Sequence, residues 1–290
     1  MPDAISGSSG LRGSRSSSDA ERRVPRPETK APRLILVDLD GTLVGKDHKV
    51  SDRNSAALAR AAAAGAHVVI ATGRPVRLLE PIRASVASSI ALCYNGAIVL
   101  DLATDEVLEA HLLDGAVFRA AVEEVRALGY EFIVGVEGLP SIGIAAELGF
   151  REDVELPRGT LAEITNQGVV KGLVRTDPED LPLFEAVWDE FSTRFVGRLE
   201  VTRSGIPGLL EISAPGVSKG GIIDELARGW GIDPSEAIAF GDMPNDLEMF
   251  RWAGRSVAMD NAEPEVKLAA SEVGADHNED AVAQVLERWF

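Results

Sequence analysis

Asp38 and Asp40 stand two residues apart where a short apolar run, Leu34–Val37, stops. In an extended segment, positions two apart point the same way, so both carboxylates can face one pocket at the strand's carboxyl end. Two acids placed together repel and lose hydration, so such a site calls for a cation or a proton. A second acid cluster, Asp242-Met243-Pro244-Asn245-Asp246, follows another apolar run, Ala237–Gly241. Between the clusters lie two features suited to an anion. Thr72-Gly73-Arg74-Pro75 joins a hydroxyl, a glycine and the expected start of a helix, which together can cradle a phosphate. Lys219 opens a helix behind Ser218, where a cation conflicts with the helix dipole unless an anion sits there. Taken singly, each feature has a plainer explanation: Asp and Gly favour turns, and a lone lysine is usually solvated. Paired acids at the end of an apolar strand seldom arise without a use.

The elements that must carry these residues follow from the pattern. Leu34–Val37, His67–Ala71, residues 90–94 and Ala237–Gly241 read as strands buried on both faces of a parallel sheet. Ser51 suits the N-cap of an Ala-rich helix that Gly65 closes, and Pro75 the first turn of a helix reaching about Ser88. Strand–helix units with right-handed crossovers then set the acids at the carboxyl ends of strands, where open α/β sheets bind ligands. Two β-like runs, around 98–100 and 107–112, follow the turn at Asn95-Gly96. From 113 to 204 the pattern changes to an α+β alternation long enough for a small domain. A strand-like run at 208–213, the Lys219 helix and a last helix capped by Asn278 complete the chain. The fold expected is α/β: a Rossmann-like parallel-sheet core over residues 33–112 and 205–290, with an α+β domain inserted at 113–204.

Asp38-Leu39-Asp40-Gly41-Thr42-Leu43 resembles the first motif of the haloacid dehalogenase-like hydrolases. Ala71-Thr72-Gly73-Arg74 matches the second in type and setting, Lys219 the third, and Gly241-Asp242-x-x-Asn245-Asp246 the fourth. Asn95-Gly96-Ala97 resembles the Cof-type branch, subclass IIB. The resemblance covers residues 34–290 and implies a Mg²⁺-dependent phosphatase acting on a small phosphorylated metabolite, a sugar phosphate being favoured. By the same resemblance Asp38 would be the nucleophile, giving an aspartyl-phosphate, and Asp40 the general acid and base. Thr72, Gly73, Lys219 and Asn245 would hold the substrate phosphate, with Thr72 and Lys219 also serving catalysis. Asp38, Asp40 (through its backbone carbonyl) and Asp242 would hold Mg²⁺, with Asn245 and Asp246 orienting them. The insertion would be the cap that covers the site and chooses the substrate. Cation-pumping ATPases of this fold carry threonine in place of the second acid, so Asp40 implies rapid turnover. Transfer to another acceptor, as in a phosphomutase, and noncatalytic metabolite binding are the alternatives. Asp260 stands at a position often small in relatives, which puts the pocket rim in doubt.

Bulk properties exclude other classes. A net charge of −17 and a pI near 4.7 argue against a nucleic-acid partner. No apolar run reaches the roughly 18 residues of a membrane span. His48, His67, His111 and His277 are scattered, which leaves no zinc pattern, and Cys93 alone forms no intramolecular disulfide. A cytoplasmic monomer or weak homodimer is expected. Residues 1–32, rich in Ser, Gly, Arg and Pro and without periodicity, read as a disordered extension.

Overall fold

A computed structural model describes residues 30–151 and 155–290. The expected disorder of 1–32 falls outside the described residues except at its last three positions. The chain forms β1 (Leu34–Val37), β2 (His67–Ala71), β3 (Ile90–Cys93), β4 (Ile98–Asp101) and β5 (Val107–Ala110). Next come β6 (Ile133–Gly138), β7 (Ile144–Ala146), β8 (Val169–Arg175), β9 (Glu200–Arg203) and β10 (Leu209–Ser213). It closes with β11 (Ala237–Gly241), β12 (Arg255–Ala258) and β13 (Glu272–Val273). One sheet has eight strands in the order β13-β12-β11-β1-β2-β3-β4-β5. Its strands pair in parallel from β13 to β3, and β4 and β5 add an antiparallel hairpin. The other sheet, β7-β6-β8-β10-β9, is antiparallel throughout. The α/β core with an inserted α+β unit is therefore present.

β1 lies at the centre of the large sheet, between β2 and β11. Both of its faces are covered, which explains its unbroken apolar sequence. Ile35 and Val37 pack into one cluster with Leu58 and Leu286, while Leu34 and Leu36 face Ile223 and Met249 in another. Parallel pairing brings the carboxyl ends of β1, β2 and β11 together, so the polar residues after each strand share one edge.

Three expectations are corrected. No continuous helix follows Pro75: a 3₁₀ turn at Val76–Leu78 leads to one α-turn at Glu80–Arg83. Pro81 lacks an N–H and its ring excludes the carbonyl four residues back, which breaks the ladder between them. The last helix begins at Ala281, not at an Asn278 cap. Asn278 lies in a 3₁₀ turn capped by Asp276, and its own Oδ1 accepts the Lys46 amide at 3.0 Å. Finally, Leu209–Ser213, assigned above to the core, pairs with β8 and β9 in the small sheet. Leu210 and Ile212 bury against Phe118 and Phe191 there, a surface that the large sheet does not offer. Among the described residues no helix is long and apolar enough to cross a membrane.

Candidate active site

At the shared edge, three buried carboxylates cluster and two of them meet one ammonium. Lys219 is only 1% exposed, and its Nζ lies 2.6 Å from Asp38 Oδ1 and 2.6 Å from Asp246 Oδ1. The local chain makes this approach possible. Ser218 caps the helix Lys219–Gly229 by accepting the Gly221 amide, which fixes the first turn beside the strand ends. The other oxygen of Asp246 accepts the backbone amides of Asp242 and Met243, at 2.9 and 3.0 Å. Asp242 is held by Thr42, whose Oγ1 donates to Asp242 Oδ1 at 3.0 Å. Carboxylate oxygens of Asp38, Asp242 and Asp246 all lie within 4.8 Å of one another.

Gly41 makes room for this cluster. Its φ of +82° suits glycine, and a Cβ there would stand 2.2 Å from Asp242 Oδ2. Asn261 braces the same turn by donating to the Gly41 carbonyl at 2.8 Å.

The electrostatics follow from this crowding. Burial pushes the Asp38 carboxyl well above its ordinary range; Lys219 pulls it down, while Asp246 and Asp242 push it up again. Asp242 is raised to about 6, first by burial and then by Asp246. Burial alone would lower the Lys219 ammonium, but Asp246 and Asp38 outweigh it and hold Lys219 above its usual value. One ammonium thus stands against three carboxylates. The excess negative charge and the all-oxygen donor set fit a hard divalent cation.

Asp40 departs from the expectation that both acids of the first motif face one pocket. Its side chain is 57% exposed and takes Arg74 in a bidentate pair, Nε at 2.7 Å and Nη2 at 2.5 Å. Its carboxylate is not among the three that cluster. Asp38, the buried member, meets the Lys219 ammonium, while the more exposed Asp40 pairs with Arg74, which also feels the charge of Asp38. Thr72 is buried at the end of β2, its Oγ1 accepting the Arg74 amide at 3.0 Å, with Gly73 beside it. Because the helix after Pro75 is absent, the cradle there consists of this turn alone.

Asn245 lies in the same 3₁₀ turn as Asp246, and its Nδ2 donates to Asn95 Oδ1 at 3.1 Å. Asn95, at φ +59°, donates in turn to Glu211, which also pairs with Lys171 at 2.5 Å. Lys171 reaches back to the Gly73 carbonyl at 3.5 Å. This chain of contacts links the small sheet to the core. Sequence reasoning assigned no role to Arg74, Asn261, Lys171 or Glu211. Lys171 did carry a signal, as a lone cation inside the apolar strand Val-Val-Lys-Gly-Leu-Val.

The family model of the haloacid dehalogenase-like hydrolases matches residues 35–286. The chain belongs to this family. It is 28% identical over 282 residues to the pyridoxal phosphate phosphatase YbhA of Escherichia coli, covering 88% of this chain and 97% of that protein. It is also 28% identical over 259 residues to the 5-amino-6-(5-phospho-D-ribitylamino)uracil phosphatase YcsE of Bacillus subtilis, covering 89% of this chain and 95% of that one. The crystal structure of a haloacid dehalogenase-like hydrolase from Bacteroides thetaiotaomicron matches it with a TM-score of 0.70 at 28% identity, over 89% of this chain and all of the other. The Cof-type resemblance is borne out, and the chain is a phosphoric monoester hydrolase of this family.

Proposed function

We propose that the chain hydrolyses a small phosphorylated metabolite in a Mg²⁺-dependent reaction, through an aspartyl-phosphate on Asp38. The observation that carries this reading is Lys219, buried and 2.6 Å from both Asp38 and Asp246 beside a third carboxylate. Asp38, Asp242 and the Asp40 backbone carbonyl would hold Mg²⁺. Asp246 has its oxygens taken by Lys219 and two amides, so it orients the set. When bound, the ion would offset the charge of the phosphoryl oxygens and of Asp38, the carboxylate that attacks phosphorus.

The protein's own groups account for the rest. Asp38 attacks phosphorus while Asp40 gives its proton to the departing alkoxide. Asp40 then takes a proton from water, whose oxygen displaces Asp38 from phosphorus and releases inorganic phosphate. Lys219 steadies the carboxylate throughout, and Thr72, Gly73 and Asn245 position the phosphate. Arg74 would shift part of its guanidinium to the incoming phosphoryl oxygens, which frees Asp40 for proton transfer. The insertion would act as the substrate-selecting cap, with a sugar phosphate the class the family resemblance favours. The setting proposed is cytoplasmic, and the partner is the small molecule, met by a monomer or weak homodimer.

A phosphate-release assay over a metabolite panel tests the reading. Chelation of divalent ions is expected to abolish release and added Mg²⁺ to restore it, with Tm rising as the three carboxylates gain a counter-ion. Full activity in excess chelator would contradict the metal assignment. Isomerised product without free phosphate would mark a phosphomutase, and absence of any turnover a binding protein.

Asp40→Asn is expected to lose about 10²–10⁴-fold in kcat on an alkyl phosphate, the range of general acid catalysis. On an aryl phosphate with a good leaving group the loss should be smaller, because that oxygen departs without a proton. Equal losses on both esters would count against Asp40 as the acid.

A further inference from the structure

Between the inserted unit and the core lies a cleft of about 690 Å³ that reaches inward to Asn95, Asn245 and Lys219. It shares these three residues with the site described above, and Lys219 is the one that touches Asp38. This volume is that of a pocket for a whole small molecule, well beyond what a phosphoryl group fills. One wall is apolar: Leu181, Phe184, Trp188 and Ile206, with Leu181 and Ile206 more than half exposed. Glu248, Glu263 and Glu265 of the core and Glu200 of β9 add four carboxylates to the lining.

The two cations in the lining make their ion pairs elsewhere, although Arg203 also feels the charge of Glu263. Lys219 is held by Asp38 and Asp246. Arg203 donates to both oxygens of Glu185, at 2.7 and 2.6 Å, and lies 4.6 Å from the Trp188 ring centroid. Burial first, and Glu248 second, raise the Glu200 carboxyl. At the inner end the Asn245 Oδ1 is buried and has no hydrogen-bond partner among the described residues. A buried acceptor without a donor is costly, and Asn245 also lines the cleft, so an N–H or O–H of the occupant that reached Oδ1 would satisfy it.

Resting on the phosphatase reading, but replacing the sugar phosphate that the family resemblance favours, we propose that this cleft receives the alcohol half of the substrate, and that this half is ring-bearing and cationic or N–H-rich, with no second anionic group. The apolar wall would cover the ring, the carboxylates would face its positive end, and Asn245 Oδ1 would accept one donor. A plain sugar phosphate would leave the wall uncovered and the carboxylates without a cation. A bisphosphate would meet them with like charge.

Three esters of one shape test this: 4-(aminomethyl)benzyl, 4-methylbenzyl and 4-carboxybenzyl phosphate, with glucose 6-phosphate alongside, all with Mg²⁺. kcat/KM is expected to be highest for the aminomethyl ester, about tenfold lower for the methyl ester and about tenfold lower again for the carboxy ester. Glucose 6-phosphate should fall below the methyl ester. In the double variant Glu200→Gln/Glu248→Gln, shown to be folded by its melting curve, the roughly hundredfold aminomethyl-to-carboxy ratio should shrink to about threefold. A flat or inverted order in the native protein would overturn the proposal, as would an unchanged ratio in the variant or preference for glucose 6-phosphate. In each of those cases phosphate is still released, so the phosphatase reading stands. No release from any of the four compounds would instead overturn that reading, and the proposal with it.

Discussion

Asp38→Asn is expected to abolish turnover while the protein stays folded. The amide matches the carboxylate in shape, so the turn after β1 and the packing beneath it persist. The carboxylate that attacks phosphorus is gone, however, and an amide oxygen is a poor substitute. Lys219 keeps its second partner, Asp246, at 2.6 Å, so no buried ammonium is stranded. Removing a nucleophile of this kind typically costs at least about 10³-fold in kcat, about 4 kcal/mol of barrier. The check is kcat with Mg²⁺ together with a thermal melt. More than a few per cent of native activity in a folded variant would remove Asp38 from the covalent role.

Lys219→Met is expected to damage both activity and stability. Methionine fills much of the space but leaves Asp38 and Asp246 buried with no cation between them. Breaking a buried pair from one side costs about 3–5 kcal/mol, because the remaining charge keeps its desolvation penalty. For a chain of this size that corresponds to a fall in Tm of roughly 10 °C. Turnover should drop as steeply as in Asp38→Asn, since the nucleophile then faces two carboxylates without relief. A variant with native Tm would show that the ammonium does not balance this cluster. Asp246→Asn is the milder comparison, since the Lys219–Asp38 pair survives in it.

Much of the reacting edge was legible because strand and chemistry are adjacent in the chain. The runs at Leu34–Val37 and Ala237–Gly241 are apolar on both faces, and each stops abruptly at acids. Parallel pairing then does the remaining work of bringing Asp38, Asp242 and Asp246 together. What the sequence hid is contact at a distance. Arg74 meets Asp40 across 34 positions, Lys171 meets Glu211 across 40, and Asn245 meets Asn95 across 150. No local period reports such pairs. The fate of Leu209–Ser213 shows a related ambiguity: its alternation announces a strand without saying which sheet will take it. The missing helix after Pro75 was readable in principle, because Pro81 was there to break it.

The central claim is a phosphoryl group carried on Asp38 between two in-line displacements. It is tested most directly by the stereochemical course at phosphorus. A substrate ester made chiral at phosphorus with oxygen isotopes is hydrolysed in isotopically labelled water, and the configuration of the released phosphate is read. Each in-line step inverts the centre, so two steps through the aspartyl-phosphate predict net retention. Net inversion would mean a single attack by water, and would contradict covalent catalysis by Asp38 whatever the mutant rates show.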